Sequence, residues 1–70
     1  MNDVIRLAAE QASIRFGSCD GTFNAAGFAN TLARIAGLER TDIDGLLVRA
    51  ILAGRPDIEV LSGAAHYRLR

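Results

Sequence analysis

ANTLARIAGLERTDIDGLLVR, residues 29–49, reads as two helices joined by a tight turn. Ala33 stands four residues before Gly37, Ile43 six beyond that glycine, and Leu46 three further on. A small side chain at Ala33 lets the second helix approach the first closely. Gly37 can take the positive φ that ends a helix, and Leu38 is expected to fold back onto the interior. Ile43 and Leu46, one turn apart, are expected to point into the angle between the helices.

N-terminal to this pair, the spacing of Ile5, Ala8, Ala9, Ala12 and Phe16 predicts a helix over about 3–16 with one apolar face, capped by Asn2 and stopped by Gly17. The polar, glycine-rich GSCDGT that follows is a loop. Asn24 is a favoured cap for a helix over about 25–36. Phe23 before the cap and Phe28 after it form a hydrophobic staple. Thr41 and Asp44 imitate a capping box for a third helix over about 42–53, and Gly54 with Pro56 marks its end.

The remainder, DIEVLSGAAHYRLR, has strand periodicity at Ile58 and Val60 and again at Tyr67 and Leu69. Gly63-Ala64 suits a type II′ turn, which predicts a hairpin over about 57–61 and 66–70. That register sets Val60 against Tyr67 and Ile58 against Leu69 on a buried face. It also sets Glu59 against Arg68 and Asp57 against Arg70 on an exposed one.

The expected class is mostly α with a C-terminal β-hairpin, in a single domain over residues 1–70. Residues 29–49 resemble the helix-turn-helix, and three helices followed by ILAGRPDIEVLSGAAHYRLR resemble a winged helix-turn-helix over nearly the whole chain. The chain is similar to small winged-helix regulators and to the C-terminal winged-helix module of DNA-processing protein A. The regulators imply DNA binding and transcription control. The latter module resembles DNA readers but implies a protein contact, since one fold hosts several roles.

Composition narrows the choices. The chain is 70 residues long and half apolar, with eight acidic residues against eight basic ones, every basic residue an arginine. A domain of this size buries only about 60% of its unfolded surface, so its stability is modest. Lone Cys19 excludes an internal disulfide and suits a reducing cytoplasm. No apolar run approaches the roughly 20 residues of a membrane span, and MNDVIRLAAEQ is too polar for a secretion signal. Cys19 and His66 lack a third orienting group, and one Cys with one His does not close a zinc site. Gly17, Gly21 and Gly27 lack the spacing and the lysine of a phosphate loop. The expectation is a cytoplasmic protein that is not an enzyme and uses no metal or cofactor.

Two roles follow. The first is a small transcriptional regulator that reads double-stranded DNA through the third helix and wing. Projected as a helix from Ile43, Leu46, Leu47, Ala50 and Ile51 face the core, while Thr41, Asp44, Gly45, Val48, Arg49 and Leu52 face outward. Arg40 adjoins that face. His66, Arg68 and Arg70 alternate along one wing strand, with Arg55 at its entry. The second is a protein-interaction module that regulates a transcription factor or a nucleic-acid enzyme. Zero net charge and an outward Val48 and Leu52 favour it. A homodimer is compatible with either. The DNA role stands first because most domains of this layout bind DNA.

Overall fold

The computed structural model describes residues 3–61 and 65–70. The elements run α1 (Val4–Phe16), β1 (Thr22–Asn24), α2 (Ala25–Ala36), a 3₁₀ turn (Arg40–Asp42), α3 (Gly45–Ala53), β2 (Ile58–Val60) and β3 (His66–Leu69). The strands form an antiparallel sheet ordered β1-β3-β2, with β3 in the centre. Helix α1 packs on α2 and β1, and α3 packs on α2 and β2. Three helices with a C-terminal hairpin in a three-stranded sheet are consistent with winged-helix topology.

Local chemistry accounts for most boundaries. Asp3 caps α1 by accepting the Arg6 N–H at 3.1 Å; Asn2, the expected cap, lies outside the described residues. Asn24 caps α2 by accepting the Gly27 N–H at 2.6 Å. Gly37 ends α2 at φ +71°, a left-handed conformation that a side chain disfavours. Leu38 then donates its N–H to the Ala33 carbonyl at 2.8 Å. Its side chain does not fold inward as expected but stays 51% exposed.

The segment expected to be loop up to Thr22 contains the third strand instead. Thr22 pairs with Arg68, Phe23 with Tyr67 and Asn24 with His66. Three residues carry too little alternation to register as a strand, and the partner lies far along the chain. Gly21, at φ +84°, makes the turn into β1 and accepts the Leu69 N–H at 3.1 Å. A Cβ there would stand 3.3 Å from the Leu69 Cβ.

The hairpin register matches expectation: Ile58 faces Leu69, Glu59 faces Arg68 and Val60 faces Tyr67. Ile58 and Tyr67 are buried, whereas Val60 is half-exposed rather than covered. The Gly63-Ala64 turn lies outside the described residues.

The core joins Phe23, Phe28, Val48, Leu52, Ile58 and Tyr67 with Ala8, Ala9, Ala12 and Ala29. On α1 the alanines point inward, so α2 approaches closely, while Val4, Leu7 and Ile14 lie exposed. Phe16, expected on the inner face, is also half-exposed at the helix end.

The largest departure is the facing of α3. Val48 and Leu52 are 2% and 0% exposed, whereas Leu46 and Leu47 are 78% and 58% exposed. Ala50 is exposed as well, and Ile51 is half-buried. The reason is a reset of helical phase. The expected projection counted Ile43 as helical, but its backbone is extended (φ −105°, ψ 116°). The helix starts at Gly45, not at about residue 42, under a new cap: Asp44 accepts the Leu46 N–H at 2.9 Å. Thr41 makes no capping box with Asp44. Asp42 instead accepts the Glu39 N–H at 3.2 Å within the 3₁₀ turn.

This facing has a direct test in equilibrium urea unfolding. Leu52→Ala opens a cavity in the core and is expected to cost about 2–5 kcal/mol. Leu46→Ala removes only exposed surface and is expected to stay within about 0.5 kcal/mol of wild type. The opposite ranking would return α3 to its sequence-based facing.

Candidate functional site

Each residue expected to meet DNA or a partner now has a place. Arg40 and Thr41 are exposed in the 3₁₀ turn, and the Arg40 guanidinium donates to the Ile43 carbonyl at 3.0 Å. Asp44 is occupied as the α3 cap. Arg49 is exposed on α3. Val48 and Leu52 lie in the core rather than on the outer face; the outward apolar residues of α3 are Leu46 and Leu47. His66 is exposed on β3, its ring 6.0 Å from that of Phe16 between centroids. Arg70 is exposed, and its N–H donates to the Asp57 carbonyl at 2.9 Å.

Arg68 of the hairpin and Arg55 at its entry are engaged within the fold. Arg68 Nη2 and Nε both donate to Glu59 Oε1, at 2.7 and 3.2 Å. Arg55 grips two carboxylates: Asp57 at 2.9 Å from both Nε and Nη2, and Asp3 at 3.2 Å from Nη1 and 2.6 Å from Nη2. Arg6 completes the cluster through Asp57 at 3.0 Å and Glu10 at 3.1 Å. Two arginines thus meet three acids, tying the start of α1 to the link between α3 and β2. Hydrogen bonds from Arg55 hold the Asp57 and Asp3 carboxyls below the usual carboxylate range, and Asp57 raises Arg55 in turn. In the α1–β1 loop, the Ser18 and Thr22 hydroxyls lower Asp20 to about 2. That arrangement satisfies a turn, in which Cys19 is exposed.

The residues sequence reasoning missed form an apolar groove of about 270 Å³ between α2, the 3₁₀ turn and α3. Leu32, Leu38, Ile43, Leu47, Val48 and Ile51 line it, with Asp42 and Asp44 of the 3₁₀ turn and the α3 cap beside them. Leu46, the most exposed large apolar residue, is the neighbour of Leu47 on α3. The adjacent leucines after Gly45 were the available signal, hidden by the assumed helical phase. Among the described residues, no group of three His, Cys, Asp or Glu side chains is placed to hold a metal ion. No helix among them is long and apolar enough to cross a membrane.

The Arg55 cluster gives a pH-dependent expectation. A carboxyl whose folded pKa is depressed adds stability that is full above its ordinary value of 3.8 and is lost as pH falls through the folded value. The wild-type advantage over Arg55→Met in urea unfolding is therefore expected to hold from neutral pH to about 5 and to close below about 4. Its size is limited by solvent screening. An advantage that did not change with pH would assign the effect of Arg55 to packing instead.

Comparison with protein-family models, curated proteins and solved structures found no match.

Proposed function

We propose that this chain is a winged helix-turn-helix domain that serves as a protein-interaction module, docking a partner protein on the α2–α3 face and thereby regulating a transcription factor or a nucleic-acid enzyme. The order of three helices and a C-terminal hairpin supports the fold assignment. One observation carries the functional reading. Where a DNA reader offers the groove polar and basic side chains, α3 offers Leu46, Leu47 and Ala50 to solvent, with Arg49 as its one exposed cation. The neighbouring groove is apolar on most of its lining. A surface of this kind favours burial against another apolar face.

Electrostatics point the same way. Affinity for duplex DNA draws on arginines free to neutralise phosphates. Arg55 and Arg68 are held by Asp3, Asp57 and Glu59, and the chain as a whole is formally neutral. Recruiting either arginine to a phosphate would break a bond the fold already makes.

The test sets duplex DNA beside protein capture. Titrated with short mixed-sequence duplexes at low salt, the domain is expected to form no complex below about 10⁻⁴ M. Used as bait, it is expected to retain a partner that Leu47→Asp loses and that the Arg68→Ala/Arg70→Ala pair keeps. Duplex binding with a steep salt dependence that the wing pair flattens would restore the DNA-reading role.

A further inference from the structure

We propose that the α2–α3 groove is built for a basic amphipathic helix, one that lays aliphatic side chains between Leu38, Leu47 and Ile51 and sets lysine or arginine against Glu39, Asp42 and Asp44. This rests on the protein-interaction reading and specifies the chemistry of the partner.

The choice of occupant follows from how the acids of the chain are used. Asp3, Glu10, Asp57 and Glu59 are each ion-paired to an arginine. Asp20 is held by the Ser18 and Thr22 hydroxyls. Glu39, Asp42 and Asp44 make no ion pair among the described residues, and all three are exposed around the 3₁₀ turn and the start of α3. Asp42 and Asp44 line the groove itself. Their hydrogen bonds go to backbone N–H groups, of Glu39 and Leu46, and not to a cation. Arg40 stands among them, but its guanidinium is turned to the Ile43 carbonyl. Three acids against one arginine leave this end of the groove negative even after the α3 dipole offsets roughly half a charge.

The groove is therefore apolar along its floor and anionic at one end. Apolar floor selects for an aliphatic face, and the anionic end selects the partner's sign and direction. An acidic helix would place like charges against Asp42 and Asp44, whereas a basic one gains charge-assisted contacts.

The probe is a pair of synthetic helical peptides of about 18 residues, identical in an i, i+3, i+4, i+7 leucine face and differing only at one end, lysine in one and glutamate in the other. Binding is read by fluorescence anisotropy and located by amide chemical-shift changes on the labelled domain. The lysine peptide is expected to bind about tenfold tighter at low salt, with the gap shrinking as salt rises. Shifts are expected at Leu38, Ile43, Leu47 and Ile51. Glu39→Gln/Asp42→Asn/Asp44→Asn keeps the α3 cap, because asparagine caps as well as aspartate; it is expected to abolish the gap while retaining leucine-driven binding. Leu47→Asp is expected to weaken both peptides. Equal binding of the two peptides would overturn the basic-partner proposal and leave the interaction reading standing. Binding of neither peptide, or shifts centred on Val4, Leu7 and Ile14, would overturn the groove as the site. Duplex binding without peptide binding would overturn both.

Discussion

The structure depends on the packing of one ring. Phe23 lies with its ring centroid 5.9 Å from those of both Phe28 and Tyr67, and all three rings are buried. Its backbone pairs with Tyr67 across the sheet, while its side chain staples the first turn of α2. One residue thus joins the sheet to the helices. Much of the remaining core is alanine, which permits close helix contacts but removes little surface from water. Aromatic side chains bury roughly 150–250 Å² each, so this trio supplies an outsized share of the hydrophobic driving force. The remaining elements are arranged so as to enclose it.

Local rules recovered what local rules control. The three helices, the cap at Asn24, the stop at Gly37 and the hairpin register were legible because each is decided by residues a few positions apart. β1 was not legible, since a three-residue strand exists only by virtue of a distant partner. The facing of α3 failed for a different reason. Helical phase is preserved only while the backbone stays helical, and extended Ile43 and the cap residue Asp44 interrupt it. An error of three residues in the start rotated the apparent faces, exchanging Val48 and Leu52 with Leu46 and Leu47. The candidate site inherited that error, because its most informative residues sit on the same helix.

The arginines show why a list of charged residues is a poor guide to a binding surface. On paper the wing is basic; in the fold, Arg68 answers Glu59 across the hairpin and Arg55 binds two carboxylates. Their charge is directed inward, to hold secondary structure together. Three acids, Glu39, Asp42 and Asp44, are left without an ion pair among the described residues, gathered where α2 gives way to α3. Net neutrality therefore conceals a local imbalance: ion pairs tie α1 to the α3–β2 link and β2 to β3, while unpaired carboxylates stand beside an apolar hollow. Charge that is already matched stabilises the fold, and charge that is unmatched remains available to select a partner.

The strand order also bears on how the domain comes together. Among the described residues, β3 follows every other element and forms the centre of the sheet, so β1 and β2 pair with it and not with each other. Until β3 is available, neither outer strand has its ladder to join, and Phe23 lacks the ring of Tyr67. Closing the sheet therefore requires β3 to enter between its two neighbours. Non-local pairing of this sort slows folding relative to a purely helical bundle of equal length.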